Sequence, residues 1–230
     1  MSGILTLIPT PIDDETSISI EAKKLLLEAV DRKDLILVEE LKEGRRRWLR
    51  FGLPRETIDD FVLYNEHTHK EVSQQVLKAL KAGTNAYLMS DCGLPAFCDP
   101  GRSVVEACHR AGYKVTATPF ANSIALAVAL SGFNHDRFIF EGFIPAKADA
   151  RSVELKRILR QKDVSILMDT PYRMVKMIEE LKEHNLKREI FLGIDLNKKS
   201  EILIRGTVKQ VLQKMPKDKR EFILIIGPNE

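Results

Sequence analysis

Short apolar runs alternate with amphipathic stretches along the first half of the chain. Ile4-Leu5-Thr6-Leu7-Ile8, Leu35-Ile36-Leu37-Val38, Phe61-Val62-Leu63-Tyr64, Ala86-Tyr87-Leu88-Met89 and Lys114-Val115-Thr116-Ala117 read as strands. Between them Ile20, Leu25, Leu26, Ala29 and Val30, then Val72, Val76, Leu77 and Leu80, recur at helical spacing, as does the stretch from Val104 to Ala111. Gly83 and Gly112 follow the last two patterns, where a helix cap belongs. Strands with little alternation are buried on both faces, so this half predicts a parallel sheet wound with helices.

Thr118-Pro119-Phe120-Ala121-Asn122-Ser123 marks a junction, and the pattern then changes. Asn122 and Ser123 are good helix caps, and Ile124 to Leu130 is small and apolar all round, as a buried helix is. Strands are expected from Arg137 to Glu141, Val164 to Met168, Glu189 to Ile194, Glu201 to Arg205 and Phe222 to Ile226, with an amphipathic stretch from Val153 to Leu159. The expectation is two α/β domains, residues 1–119 and 120–230.

Composition adds limits. The chain has 230 residues, 44% hydrophobic and 30% charged, which describes an ordinary globular protein. No apolar run approaches the ~20 residues that span a bilayer. Met1-Ser2-Gly3-Ile4-Leu5 runs into a strand without a signal-peptide organisation, so a cytoplasmic protein with no membrane partner is expected. Cys92, Cys98 and Cys108 lack zinc-site spacing and read as buried free thiols; no metal is implied. A net charge of +3 neither demands nor excludes a nucleic acid. Neither a Gly-x-Gly-x-x-Gly fingerprint nor a phosphate-binding Gly-x-x-x-x-Gly-Lys-Ser/Thr loop is present.

The most informative stretch is Ser90-Asp91-Cys92-Gly93-Leu94-Pro95-Ala96-Phe97-Cys98-Asp99-Pro100-Gly101. Its glycines, prolines and aspartates specify a rigid loop at the carboxyl end of a strand, where open α/β sheets bind ligands. Ser-Asp-x-Gly-x-Pro-x-x-x-Asp-Pro-Gly resembles the signature loop of the tetrapyrrole methylase-like family. Within it, the chain is similar to the branch that methylates a cytidine 2′-hydroxyl in small-subunit ribosomal RNA. Ile8-Pro9-Thr10-Pro11-Ile12 is similar to that branch's first loop, and Phe140-Glu141-Gly142-Phe143-Ile144-Pro145-Ala146-Lys147 to its Phe-Glu-Gly-Phe-x-Pro-x-Lys. Asp13-Asp14 stands where family members continue with Gly-Asn.

The resemblance implies an N-terminal Rossmann-like parallel sheet, a C-terminal mixed sheet and S-adenosylmethionine in a cleft between them. It implies a homodimer and a ribosomal RNA or small-subunit partner. Cofactor contacts would come from Pro9, Thr10, Pro11 and Ile12, from Gly93, Leu94, Pro95 and Phe97, from Ala121, Asn122 and Ser123, and from Met168 and Gly193. A sugar hydroxyl needs a base to take its proton. Glu39, Glu66 and His67, all just beyond expected strands, are the catalytic candidates. Arg45-Arg46-Arg47-Trp48-Leu49-Arg50 offers cations for phosphates and a ring for stacking, or else a helix face with Trp48 turned inward. Arg45, Arg46, Glu141, Lys147, Arg173 and Lys198 are the candidates for holding substrate. Two other readings stand beside this one: a divergent methylase with another acceptor, and a cofactor- or RNA-binding module without turnover.

Overall fold

The first five apolar runs pair into one parallel sheet. The computed structural model describes residues 2–99, 101–120 and 122–229, and the chain divides into two units, 1–120 and 121–230. In the first unit β1 (Ile4–Ile8), β2 (Leu35–Val38), β3 (Val62–Leu63), β4 (Ala86–Met89) and β5 (Lys114–Ala117) lie in the order β3-β2-β4-β1-β5. Side chains alternate between the faces. Ile36, Val38, Tyr87 and Met89 meet α1 (Ile20–Arg32) and α2 (Leu41–Arg50) through Ala22, Leu26, Ala29 and Trp48. Leu37, Ala86 and Leu88 meet α3 (His69–Lys81) and α4 (Gly101–Arg110) through Val72, Val76, Leu80, Val104 and Cys108.

Crossovers of one hand require the chain to change face when it changes direction. The connections through α1 and α2 move toward the β3 edge over one face. Those through α3 and α4 move back toward the β5 edge over the other. β2 and β4 are neighbours whose following helices therefore leave in opposite directions.

The strand expected from Phe61 to Tyr64 pairs only at Val62 and Leu63. Phe61 instead packs edge-on against Trp48, with ring centroids 5.1 Å apart. The expectation of buried thiols holds for Cys108 and fails for Cys92 and Cys98, which are exposed. Both lie on the loop after β4, beyond the layers of helix that cover the strands.

The second unit orders its strands β6 (Phe138–Phe143), β7 (Val164–Met168), β10 (Phe222–Ile226), β8 (Ile190–Ile194) and β9 (Ile202–Gly206). β6 and β7 are parallel and the other pairs antiparallel, so this sheet is mixed. Its helices are α5 (Ser123–Ser131), α6 (Ala148–Leu159), α7 (Met174–Glu183) and α8 (Val208–Lys214). A capping box of Thr207 and Gln210 starts α8. α7 adds an element to those expected, and Met174, Met177, Ile178 and Leu181 form its buried stripe. α5 departs from the fully buried helix expected: one side packs on β10, while Ala125, Ala129 and Leu130 are exposed. Among the described residues no helix is long and apolar enough to cross a membrane.

A buried charge cluster ties α6 to the end of β7 and to α7. Arg151, 1% exposed, donates to Asp169 Oδ2 at 2.7 Å and to Glu180 Oε2 at 2.7 Å. Removing the cation would leave buried Asp169 with only the more exposed Arg173 at 3.1 Å, a loss of up to about 3–5 kcal/mol. Arg151→Met should therefore shift urea unfolding by that amount, whereas Arg151→Met combined with Asp169→Leu and Glu180→Leu should cost far less. A single variant as stable as the parent would show that the cluster does not hold the unit together.

Candidate functional site

A parallel sheet presents every strand's carboxyl end at one edge, and the crevice where successive connections diverge is the usual ligand position. Here that crevice lies between β2 and β4, with β1 on the far side of β4. The loop after β1 and the loop after β4 are joined there. Thr10 and Gly93 exchange backbone hydrogen bonds of 2.9 and 3.0 Å. The Thr10 hydroxyl donates to the Ser90 carbonyl at 3.1 Å, and the Ser90 hydroxyl to the Gly93 carbonyl at 2.5 Å. Gly93 has φ +79°, a conformation glycine adopts without strain. Farther along, Ala96 and Cys98 also take left-handed backbone, with φ of 64° and 69°. Asp99 Oδ1 closes this bend by accepting from the amides of Ala96 and Gly101, at 2.9 and 2.7 Å.

At the crevice itself the Asp91 amide donates to Glu39 Oε2 at 3.1 Å. Glu39 Oε1 and Asp91 Oδ1 are each buried with no hydrogen-bond partner among the described residues. Burial pushes the Glu39 carboxyl up to about 7, with Asp99 and Asp91 adding to the rise and the Asp91 amide opposing it. Burial likewise raises Asp91 to about 6; the Glu40 amide and the Arg47 charge oppose it. Two buried acceptors left without donors at the carboxyl ends of β2 and β4 are groups that a ligand's donors could satisfy, and a carboxyl poised near neutrality can take a proton.

Asp91 is a residue that sequence reasoning passes over. It lies inside the quoted loop motif, but its meeting with Glu39 depends on β4 lying beside β2, which no local spacing encodes. Glu66 and His67 lie beyond β3 and are open to solvent, His67 Nε2 standing 3.5 Å from Glu66 Oε1. No bond joins either to Glu39 or Asp91 among the contacts described. Pro9, Thr10 and Pro95 are buried; Pro11, Ile12, Gly93 and Leu94 are partly covered, and Phe97 is 40% exposed.

The basic cluster forms the body of α2. Trp48 is fully buried and donates from Nε1 to the Pro54 carbonyl at 2.7 Å, so of the two readings the inward-turned ring holds and the stacking ring does not. The indole sits on the helix stripe that faces the sheet, and the core takes it. Arg45 is exposed. Arg46 donates to Asp14 Oδ1 at 2.7 Å and to Glu43. Arg47, only 4% exposed, donates to the Pro11 carbonyl at 2.8 Å and to Glu43 Oε1 at 3.1 Å.

In the second unit, Ala121 lies outside the described residues. Asn122 caps α5, its Oδ1 accepting from the Ile124 and Ala125 amides, and Ser123 is the first helical residue. Met168 ends β7 and Gly193 is buried within β8; a Cβ on Gly193 would come within 3.0 Å of Leu196. The register slips between Phe140 and Gly142, and the bulged residue, Glu141, is ion-paired with Arg157. Glu141 Oε1 is buried without a partner among the described residues. Lys147 is exposed at the start of α6, Arg173 donates to Asp169 Oδ1 at 3.1 Å, and Lys198 Nζ lies 3.9 Å from Asp195 Oδ1.

The family model described as Tetrapyrrole (Corrin/Porphyrin) Methylases matches residues 5–212. A protein named ribosomal RNA small subunit methyltransferase I, from Thermotoga maritima, is 30% identical over 217 residues, 94% of this chain and 94% of the relative. The Bacillus subtilis protein of that name is 29% identical over 226 residues, 97% of this chain and 75% of its own length. Among solved structures, a diphthine synthase superposes with a TM-score of 0.66 at 14% identity, covering 98% of this chain and 90% of that one. A uroporphyrin-III C-methyl transferase from Thermus thermophilus, complexed with S-adenyl homocysteine, gives 0.60 at 19% identity, covering 98% and 97%. At these identities the structural likeness shows a shared fold.

The raised carboxyls make stability depend on pH. An unfolded chain releases the Glu39 proton near 4.5, while the folded protein holds it to about 7. Between those values the folded state binds more protons, so its stability falls as pH rises through that window. Urea unfolding across pH 4 to 9 should show the decline, and Glu39→Gln should flatten it and exceed the parent's stability at pH 8. A parent curve that is level or rising across the window would contradict the assigned environment.

Proposed function

The chain belongs to the tetrapyrrole methylase family, and on that premise we propose that it is an S-adenosylmethionine-dependent methyltransferase acting on a ribose 2′-hydroxyl of small-subunit ribosomal RNA. Relatives matched over nearly the whole of this chain carry the name of a ribosomal RNA small subunit methyltransferase. The observation that carries the site assignment is the pair of unsatisfied carboxylate oxygens at the crevice between β2 and β4. They suit S-adenosylmethionine and its acceptor, which bring an ammonium, ribose hydroxyls and an adenine amine as donors. When bound, the cofactor supplies an electrophilic methyl group on a sulfonium.

The chain's own task is positioning and proton transfer. Glu39 is the proposed base: its Oε1 receives the acceptor's hydroxyl proton, and a carboxyl near 7 is half-ionised at neutral pH. Asp91 Oδ1 accepts from the cofactor's donors, beside the backbone groups of Pro9 to Ile12 and of Gly93, Leu94, Pro95 and Phe97. The family resemblance alone assigns further cofactor contacts to Ala121, Asn122, Ser123, Met168 and Gly193. Glu66 and His67, exposed beyond β3, meet the acceptor strand. Arg45, Lys147, Arg173 and Lys198 serve its phosphates, with Arg46 and Glu141 at the margins. A ribosomal substrate places the protein in the cytoplasm.

The proposed assembly is a homodimer through β6, the edge strand of the second sheet. Phe138, Ile139 and Phe143 are 48%, 36% and 54% exposed there, an apolar edge that a second copy would cover. Sedimentation should show a dimer that Phe138→Glu with Phe143→Glu converts to monomer. A monomeric parent at micromolar concentration rejects the dimer.

For the activity, mass spectrometry of small-subunit RNA from cells with and without this gene should show one methyl mark that depends on it. In vitro, Glu39→Gln should lower methyl transfer by about 10²–10⁴-fold. The parent rate should rise with pH through about 7, as Glu39 ionises. Turnover by the variant at the parental rate excludes Glu39 as the base. Tight cofactor binding with no methylated RNA favours a module without turnover.

A further inference from the structure

Two charged features of this chain answer each other in space. Asp13-Asp14 follows the first loop, and α2 carries a run of arginines. The acidic pair and the arginines are joined. Arg46 donates to Asp14 at 2.7 Å, and Arg47 lies 3.8 Å from the same carboxylate. Asp13, 8% exposed, accepts from the amides of Glu15 and Thr16 at 2.7 and 2.5 Å, which closes the turn beneath them.

Arg47 is the centre of this arrangement. A guanidinium that is 4% exposed has given up most of its hydration, and its position is then set by the acceptors it finds. One is Glu43, a turn earlier on α2, which fixes the side chain against its own helix. The other is the backbone carbonyl of Pro11, inside the loop assigned to the cofactor. That loop is also held at Thr10 by the Gly93 backbone. It is therefore pinned from two directions, by the loop after β4 and by α2.

We infer that Arg47, steadied by Glu43 and Asp14, is a positioning residue that sets the shape of the Pro9 to Ile12 loop for S-adenosylmethionine, so that this member of the basic run acts inside the protein instead of on RNA. This rests on the methyltransferase reading. The arrangement also explains how a loop followed by two carboxylates keeps an ordered course: the negative charge of Asp14 is matched by Arg46 and Arg47 on the neighbouring helix. Asp91 feels the same cation, which favours its ionised form. Loss of the charge should therefore disturb the crevice as well as the loop.

The test compares the parent with Arg47→Met, Arg47→Lys and Asp14→Asn. Calorimetry with S-adenosylhomocysteine, run from pH 5 to 9, reads the site; hydrogen exchange of the 9–16 peptide without ligand reads the loop. Arg47→Met should weaken binding about tenfold or more, speed exchange of the peptide and move the acid limb of the binding profile upward. Arg47→Lys should restore the acid limb but only part of the affinity, since an ammonium cannot bridge Pro11 and Glu43 in the same geometry. Asp14→Asn should weaken binding a few-fold. Unchanged affinity and unchanged exchange in Arg47→Met would overturn the inference, and a salt slope for RNA binding reduced by about one would assign Arg47 to phosphate instead. A parent that binds no S-adenosylhomocysteine would count against the methyltransferase reading, while the exchange data would still decide whether Arg47 holds the loop.

Discussion

Handedness governs this molecule before any side chain does. A parallel strand pair must be joined by a right-handed crossover, so a chain that travels toward one edge of a sheet and then back must lay its helices on opposite faces. In the first unit, α1 and α2 cover one face and α3 and α4 the other. Where the directions part, between β2 and β4, no connecting helix closes the edge. The loops there have to satisfy their own backbone groups, and they do so through Thr10, Ser90 and Gly93. Glu39 and Asp91 share a partly dry environment because strand order makes them neighbours, and their raised proton affinities follow from that address.

Much of this was legible one residue at a time. The runs at Ile4–Ile8, Leu35–Val38, Ala86–Met89 and Lys114–Ala117 are strands over those residues, since an uninterrupted apolar run flanked by turn formers has few alternatives. Glu39 could be singled out because it directly follows one of them. Asp91 could not be paired with it, because β4 enters the sheet between β1 and β2 and only the folded order reveals that. The arginine run was ambiguous for a different reason. Charge density says nothing about direction, and a helix turns successive side chains by about 100°. Arg45 therefore points out while Arg47 is buried. The signal that separates them is the Glu43–Arg47 spacing, which places acid and base on one helix face.

The second unit shows the same division between what pattern encodes and what packing decides. Its strands follow from apolar runs, whereas the capping box of Thr207 and Gln210 that starts α8 is seen only in the fold. The uniformly small, apolar α5 gave no direction at all, since a helix without a polar face does not say which side is covered. Glu141 follows a third logic. An extra residue in β6 turns it off the regular alternation, and its carboxylate meets Arg157, 16 residues along the chain and out of reach of any period-two rule. Asp169 is likewise committed to Arg151 and Arg173, which is a matter of burial that its sequence neighbours do not foretell.

The bend after β4 also bears on the thermodynamics of recognition. Asp99 ties Ala96 to Gly101, and at Gly101 a methyl group would fall 2.8 Å from Asp99 and from Leu88, leaving that segment almost no freedom to rearrange. A guest molecule arriving at such a surface finds the ordering already done, so little conformational entropy is surrendered on association. Selectivity then comes chiefly from shape, because a rigid rim does not adapt to a poorly fitting guest.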